Sequence, residues 1–324
     1  MADRILVLDA GTTSTRAMIF APDGRMEAVA QEDLTQHYPR PGWVEHDAGE
    51  IWTKTLSCAR EVLGGQPDTI AAIGITNQRE TVVAWDINTG DPLGRAIVWQ
   101  DRRTAEFCAG MKEYGHEADV QRRTGLLLDP YFSGTKMRWM LDHDEAVRTA
   151  ATNGSLAFGT VESWLVYKLS GGTHISDASN ASRTLLLPLD GAQFDEDLCE
   201  LFGVPLAALP KVVDTHGSLA ECQVDCLGAA IPICGLAGDQ QAATIGQGCL
   251  SFGETKATYG TGAFVLTNMG QDIPRSDNRL LGTVLCQKNG ERTYAVEGAC
   301  FVAGSLVQYL RDQLGLIGNA AETE

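Results

Sequence analysis

The 324-residue chain lacks a long hydrophobic segment and has no excess of basic charge. No stretch approaches the roughly 18 apolar residues of a membrane-spanning helix, and the apolar run near the start is too short for a signal peptide. Its 25 Lys and Arg against 42 Asp and Glu give a formal net charge of −17. Nucleic-acid and anionic-membrane binders need basic patches. We therefore expect a cytoplasmic protein with neither membrane nor nucleic acid as a partner.

Several catalytic and metal-binding motifs are also missing. The sequence contains no G-x-x-x-x-G-K-[ST] loop, no G-x-G-x-x-G after a strand, no protein-kinase catalytic loop and no H-E-x-x-H. Its nine cysteines are odd in number and widely spread, which predicts reduced core cysteines rather than a disulfide framework. The one close pair, Cys222 and Cys226, does not have the usual zinc spacing.

The hydrophobic pattern predicts an α/β fold. Two short apolar runs around residues 5–20 predict an opening pair of strands joined by a turn. A helix is predicted from the cap residue Asp47 to Gly64, and strands and helices alternate from Ala71 onward. The polar, acidic segment 188–210 is predicted to be a turn-rich connection. At about 150 residues per domain, the length allows two domains or one large one.

The first candidate site is the segment from Asp9 to Ser14. Glycine lets backbone N–H groups approach phosphate oxygens, and the Thr and Ser hydroxyls can donate to the same oxygens. Asp9 can bind Mg²⁺ directly or through water, and Arg16 adds a positive charge. The alternative is an ordinary hairpin turn. A second Gly/Thr turn, residues 258–262, predicts a similar phosphate contact and a weak internal repeat.

Acidic and basic side chains follow two further apolar strands. Asp239 lies between an apolar strand and an Ala-rich helix, where it could accept a proton from a substrate hydroxyl; the alternative is a helix N-cap. Arg79 and Glu80 follow a buried strand and suit vicinal hydroxyls, the alternative being a surface ion pair. Trp99 and Tyr131 could cover the C–H faces of such a ligand, or could pack in the core.

Long motifs follow one another along nearly the whole chain. They are Asp9 to Ser14, Tyr38 to Asp47, Gly74 to Thr81, Trp99 to Thr104, Asp129 to Lys136, Asn180 to Thr184, Ala237 to Ala242 and Thr258 to Gly262. In this order they resemble the motifs of the glycerol kinases, a branch of the FGGY family of carbohydrate kinases. The run from Tyr131 to His143 is similar to the signature of the wider family.

This resemblance implies an actin-like ATPase (ribonuclease H-like) fold and ATP-dependent phosphorylation of glycerol to sn-glycerol 3-phosphate with Mg²⁺. It implies a complete first domain, residues 1–247, with the polyol site, and the incomplete start of a second, nucleotide-side domain, residues 248–324. Asp239 is implied as general base and Asp9 as the Mg²⁺-side carboxylate. The implied glycerol pocket comprises Arg79, Glu80, Trp99, Tyr131, Asp239, Gln240 and Phe264. The implied nucleotide contacts are Thr12, Thr13, Ser14, Arg16, Thr261, Gly304 and Gln308.

Two departures from the family pattern stand out. Ala10 occupies a position where glycerol kinases usually carry Gln. The chain also lacks the last third of a typical member. This predicts an exposed apolar surface where that part would pack. An inactive truncated chain is a second possible consequence. The full-length protein is expected to be a homo-oligomer, a dimer or a tetramer.

Three rival functions remain open on the sequence. A related kinase acting on xylulose, gluconate or erythritol would share the fold but differ in the pocket. An actin-like or chaperone-like ATPase would bind partners and phosphorylate no metabolite. A third possibility is a fragment that binds its ligand without turnover.

Overall fold

The structure, a computed structural model, describes residues 2–260 and 262–323. Its strands are β1 Arg4–Ala10, β2 Ser14–Phe20, β3 Met26–Asp33, β4 Glu45–His46, β5 Ile70–Asn77, β6 Val82–Asp86, β7 Ala96–Ile97, β8 Leu156–Thr160, β9 Ile175–Asp177, β10 Lys211–Val213, β11 His216–Cys222, β12 Ile231–Gly238, β13 Thr255–Tyr259, β14 Ala263–Asn268, β15 Leu281–Lys288 and β16 Glu291–Cys300.

The helices vary from one turn to more than four. They are α1 Ala48–Leu63, α2 Ala105–Glu113, α3 Glu117–Thr124, α4 Ser133–His143, α5 Glu145–Asn153, α6 Val161–Ser170, α7 Ala178–Ala181, α8 Glu196–Phe202, α9 Val224–Leu227, α10 Asp239–Gly246 and α11 Gly304–Asp312. Short 3₁₀ turns cover Pro67–Thr69, Leu206–Ala208 and Ala320–Thr323. No helix in the described part of the chain is both long and apolar enough to span a membrane.

A six-stranded sheet carries the first half of the fold, in the order β11-β12-β5-β1-β2-β3. Strands β1, β5 and β12 run parallel, whereas β2, β3 and β11 are antiparallel to their neighbours. The predicted opening hairpin is therefore present as β1 and β2. Because the three central strands are parallel, the loops that follow them meet at one edge of the sheet.

Helix α1 shows how local sequence sets an element. The Asp47 side chain accepts a hydrogen bond from the Glu50 backbone N–H, and Gly64 ends the helix in the left-handed conformation with φ 53°. Both ends agree with the sequence prediction, because a carboxylate satisfies a free N–H of the first turn and glycine adopts positive φ without strain. Ile51 and Ala59 of this helix pack in the core against the six-stranded sheet.

A four-stranded antiparallel sheet, β13-β14-β16-β15, follows α10. Its residues Leu281, Val284 and Tyr294 belong to the same buried cluster as side chains from residues 82–212. The strands after residue 247 thus share a core with the residues before it. The predicted division at residues 247 and 248 stays a prediction.

The prediction for residues 188–210 was wrong in one respect, because this segment contains helix α8. Asp195 caps it by accepting from the Leu198 N–H, and Leu198, Cys199 and Phe202 are buried. The acidic residues that indicated a solvated connection lie on the outer side of a short amphipathic helix. With only seven residues, it is too short for a clear helical period in the sequence.

The C-terminal part carries most of the exposed large apolar side chains. No residue of α11 is buried, and Leu306 and Tyr309 are about half exposed. Phe252 and Tyr259 in the neighbouring sheet region are more exposed still. The sequence predicted an exposed apolar surface where the last third of a typical family member would pack.

Candidate active site

The candidate site lies beyond the carboxyl ends of the three parallel strands. Residues 11–13 follow β1, residues 78–81 follow β5, and Asp239 follows β12. Asp9 of β1 is paired with Thr76 of β5, which in turn is paired with Ala237 of β12. The register therefore brings three segments that are far apart in sequence to one edge of the sheet.

A small cavity of about 40 Å³ occupies this edge. It holds roughly three water-sized groups, and a second cavity of about 190 Å³ shares Trp99 and Tyr131 with it. The structure brings all seven predicted substrate contacts together around it, with Thr12 as an eighth. The lining residues are Thr12, Arg79, Glu80, Trp99, Tyr131, Asp239, Gln240 and Phe264.

Arg79 is only 2% exposed and is held from several sides. Its Nη1 and Nη2 donate to the two carboxylate oxygens of Glu297 at 2.7 and 3.0 Å, and Nη2 also donates to the Tyr131 hydroxyl at 3.1 Å. Nε lies 3.5 Å from Asp239 Oδ1. A two-pronged ion pair of this kind fixes the guanidinium plane, so Arg79 presents a positioned cation to the cavity.

Glu80 occupies a strained backbone conformation with φ 60°. Its Oε1 accepts a 2.6 Å hydrogen bond from Arg183 Nε, and its backbone carbonyl accepts from the Ser133 hydroxyl. Left-handed backbone in a residue with a side chain is unfavourable and persists where surrounding contacts enforce it. The left-handed backbone and the ion pair with Arg183 together hold this buried carboxylate at the cavity, which Glu80 lines.

Two members of the charged network, Arg183 and Glu297, received no role from sequence reasoning. Arg183 bridges Glu80 and Glu297, and its guanidinium lies over the rings of Tyr131 and Phe132. Arg183 and Glu297 are both fully buried. The signal available in the sequence was a charge inside each of two otherwise small or apolar motifs, residues 180–184 and 293–300.

The network is electrically balanced, since two arginines face two carboxylates. Burial alone would raise the pKa of Glu297, but the charges of Arg183 and Arg79 hold this pKa at about 2. Burial without partners would destabilise either cation strongly. The network therefore keeps Glu297 ionised and Arg79 in place at any physiological pH.

Asp239 is the first residue of α10, and Gly238 rather than Asp239 occupies the N-cap position. Its Oδ1 accepts from the Gln240 N–H at 2.7 Å. The side chain is 38% exposed at the mouth of the cavity. Desolvation by the surrounding protein is the main reason that its pKa is raised to about 6; the charge of Arg79 opposes this rise and that of Glu80 adds to it. A carboxylate with this pKa can accept a proton near neutral pH.

The Arg79 side chain explains why a glycine, Gly238, precedes Asp239. A Cβ on Gly238 would lie 2.7 Å from both Cγ and Cδ of Arg79 and 2.9 Å from Gln241 Oε1. The Gln241 side chain in turn accepts from Arg79 Nη1 at 3.2 Å. The absent side chain at position 238 therefore makes room for Arg79.

Three aromatic side chains form one wall of the cavity. Trp99 contacts Tyr131 and Phe264 edge-on, with ring centroids 5.8 and 6.2 Å apart. The indole N–H of Trp99 donates to the Thr12 hydroxyl at 2.9 Å. Thr12 was predicted on the nucleotide side, and the structure places it at the boundary between the aromatic wall and the turn after β1.

The turn after β1 contains the other predicted phosphate contacts. Thr13 is exposed, whereas Ser14 is buried and its hydroxyl accepts from Gln31. Arg16 lies 3.0 Å from Asp9 Oδ2. Burial raises the pKa of Asp9 and Arg16 lowers it. The nearby Ala10 is fully buried in the core, so its side chain does not reach this turn.

The residues present fit a magnesium ion. Among the described residues no group of three or more His, Cys, Asp or Glu could hold a metal ion by itself. Magnesium needs only one or two carboxylates, with phosphate and water oxygens completing its shell. Asp9 is partly desolvated and close enough to Asp239 to raise that residue's pKa, and it offers one such carboxylate.

The second Gly/Thr turn meets the start of α11. Gly304 donates its N–H to the Gly260 carbonyl at 2.9 Å, and a Cβ on Gly262 would lie 2.7 Å from the Cys300 carbonyl oxygen. Gln308 lies one turn further along α11 and is exposed. Thr261, also predicted as a nucleotide contact, lies outside the described residues.

A larger cavity lies elsewhere. It measures about 590 Å³, is lined mainly by apolar side chains between β5, β12 and α10, and includes none of the predicted site residues. Its size does not make it the reaction site, since it offers no convergent charged groups.

Comparisons with known proteins agree with this geometry. The profile of the FGGY family of carbohydrate kinases, N-terminal domain, matches residues 4–246. The chain is 55% identical to a glycerol kinase of Rhodospirillum rubrum, over 99% of this chain and 66% of that protein, and 54% identical to one of Methylobacterium nodulans, over 100% and 65%. It thus spans about two thirds of the length of these relatives.

Solved structures give the same result for the fold. A glycerol kinase of Plasmodium falciparum with ADP superimposes with a TM-score of 0.93 at 34% identity, over 99% of this chain and 65% of that one. A xylulose kinase of Rhodospirillum rubrum superimposes at 0.85 with 23% identity, over 98% and 64%. The predicted α/β fold of the actin-like ATPase class is confirmed, and the chain belongs to the FGGY family of carbohydrate kinases.

Proposed function

We propose that this chain provides the polyol-binding part of a glycerol kinase, which transfers the γ-phosphoryl group of ATP to glycerol and forms sn-glycerol 3-phosphate. The observation that carries the proposal is the meeting of Arg79, Glu80 and Asp239 at one small cavity with an aromatic wall. The identity to curated glycerol kinases supports the choice of substrate.

The reaction begins with a positioned hydroxyl group. Arg79 donates to hydroxyl oxygens and Glu80 accepts from hydroxyl hydrogens, while Trp99 and Phe264 cover the C–H faces. Asp239 accepts the proton of the reacting hydroxyl as its oxygen attacks the γ-phosphorus. The bond from that phosphorus to the bridging β,γ-oxygen breaks, and ADP leaves with the bond's electron pair. Phosphoryl transfer needs mainly such positioning and charge stabilisation.

The phosphate side uses the two Gly/Thr turns. Thr12, Thr13 and Ser14, with Arg16, hold phosphate oxygens from one side, and the turn of residues 258–262, with Gly304 and Gln308, holds them from the other. Asp9 would hold Mg²⁺. When bound, this ion neutralises part of the charge on the phosphate oxygens.

The proposal extends to the organisation of the whole protein. We infer a first domain of residues 1–247 and the start of a nucleotide-side domain at 248–324, acting in the cytoplasm as a homo-oligomer when full length. This chain spans only about two thirds of the length of its relatives. We therefore expect it to bind glycerol by itself, whereas turnover requires the rest of the protein.

An ADP-release assay with glycerol, erythritol, xylulose and gluconate tests the proposal. It is run on the chain alone and on the chain joined to the remaining part of the Rhodospirillum rubrum relative. The expected result is glycerol-dependent ADP release in the joined form, with calorimetric glycerol binding in both forms. A preference for another substrate, or ATP consumption that none of the four compounds stimulates, would overturn the proposed function.

A further inference from the structure

A buried lysine lies behind the candidate site without lining its cavity. Lys256, on β13, is 1% exposed. Its Nζ lies 2.5 Å from Gln240 Oε1, and this is the one hydrogen bond of the Lys256 side chain within the described part of the chain. A buried ammonium group is strongly unfavourable unless it is paired, so its position beside a predicted substrate contact requires a reason.

The surroundings of Lys256 explain how its charge is tolerated. Burial lowers its pKa, as does the nearby Arg79, while the negative charges of Asp239 and Glu297 raise it. Lys256 therefore belongs to the charged network of the candidate site. Its side chain reaches that network from the second sheet, whereas Asp239 and Arg79 follow strands of the first.

The contact with Lys256 fixes the orientation of the Gln240 amide. A lysine ammonium has only donors, whereas a glutamine amide has an acceptor oxygen and a donor NH₂ group. Only the oxygen end of Gln240 can therefore face Lys256. The NH₂ end remains for the cavity, which Gln240 lines.

We propose that Lys256 is a positioning residue that holds Gln240 as a hydrogen-bond donor toward one hydroxyl oxygen of the polyol. The inference rests on the proposed function for the identity of the ligand, but the orientation of the amide is independent of it. A fixed donor discriminates against an analogue that lacks the matching hydroxyl, because the NH₂ group at the cavity then loses its partner on the ligand.

Two substitutions separate the parts of this role. Lys256→Met removes both the charge and the donor while keeping a long apolar side chain. Lys256→Gln removes the charge but keeps an NH₂ donor for Gln240 Oε1. Lys288→Met, at an exposed position on β15 of the same sheet, is the matched control.

Calorimetry with glycerol, 1,2-propanediol and 1,3-propanediol measures the selectivity of the full chain. We expect Lys256→Met to weaken glycerol binding about tenfold, the value of one well-formed hydrogen bond. The preference for glycerol over one of the diols should fall by the same factor. Lys256→Gln should restore most of the preference, and Lys288→Met should match the unsubstituted chain. Equal selectivity in all variants would overturn the inference.

A second readout does not depend on the ligand. The side-chain amide resonances of Gln240, identified by their loss in Gln240→Leu, should move toward the values of a free amide in Lys256→Met and stay in place in Lys288→Met. Unchanged resonances in Lys256→Met would contradict the positioning role. If the resonances move as expected but the unsubstituted chain binds no glycerol, the proposed function fails and the role of Lys256 stands.

Discussion

The residues around the small cavity and the residues of helix α11 lie in opposite environments. Arg79, Glu80 and Glu297 are at most 2% exposed. Hydrogen bonds join Arg79 to Glu297 directly and Glu80 to Glu297 through Arg183. Helix α11 has no buried residue, and its ion pair between Arg311 and Asp312 is exposed. Both regions were predicted to contact substrate, one the polyol and the other the nucleotide.

This difference separates a pre-organised site from one that needs further contacts. Around the cavity, the side chains are already in place, since each charged group has a partner that fixes it. On α11, the predicted contact Gln308 is exposed, and its side chain has no hydrogen-bond partner among the residues that the structure describes. We therefore expect the polyol side to function within this chain and the nucleotide side to depend on additional protein.

The largest difference should be catalytic. Asp239→Asn keeps the shape of the side chain but removes the proton acceptor, and should lower kcat by about 10²–10⁴ with little change in glycerol affinity. Steady-state kinetics on the chain joined to the remaining part of the Rhodospirillum rubrum relative measure the effect. Asp312→Asn in α11 is the control and should leave kcat unchanged. Near-normal kcat in Asp239→Asn would exclude the base role.

The second largest difference should appear in stability. Glu297→Gln leaves Arg79 and Arg183 without their shared anion and should lower the free energy of unfolding by about 3–5 kcal/mol. Urea denaturation measures this loss. Leu306→Ser in α11, which removes an exposed apolar side chain, should stay within about 0.5 kcal/mol. Similar losses for both variants would contradict the contrast between the regions.

Two glycines, one at the N-cap of α10 and one at its last residue, should respond in opposite ways to substitution by alanine. Gly238→Ala places a Cβ against the Arg79 side chain and should lower the free energy of unfolding by about 1–3 kcal/mol and weaken glycerol binding. Gly246→Ala adds a Cβ at a position with no atom within 4 Å and should stabilise by about 0.4–1 kcal/mol. Thermal denaturation of both variants is the test, and a harmless Gly238→Ala would show that Arg79 moves freely.

The smallest effect is a pH dependence. The pKa of Asp239 is raised to about 6, so kcat/KM should decrease as the pH falls below about 6 and the base becomes protonated.

Stability should depend on pH in a lower range. The pKa of Glu297 is lowered to about 2 from the usual 4.5, so its contribution to the free energy of unfolding is complete above pH 4.5 and is lost as the pH falls toward 2. An acid limb in activity that coincided with unfolding would contradict the assignment to Asp239.

Local signals in the sequence predicted much of this molecule. The cap at Asp47, the stop at Gly64 and the strands leading to Arg79 and Asp239 follow from nearby residues alone. Of the seven predicted substrate contacts, Gln240 and Phe264 came only from the resemblance, which covers long motifs, whereas residue type and position had already indicated the other five. These signals work because each depends on residue type and spacing within a short segment.

The supporting charges could not be predicted in the same way. Arg183 and Glu297 lie more than 100 residues from their partner Glu80 or Arg183, and Lys256 reaches the site from a different sheet. Their roles depend on tertiary packing that no local pattern encodes. Helix α8 was missed for a related reason, because seven residues give too short a period to outweigh an acidic composition.

A calorimetric titration of this chain with glycerol tests the central claim most directly. The account predicts binding to the unsubstituted chain and to Arg311→Ala, and at least a tenfold weaker affinity in Arg79→Ala, because the buried guanidinium orients the polyol. Absence of glycerol binding by the folded chain, or equal affinity in Arg79→Ala, would contradict it.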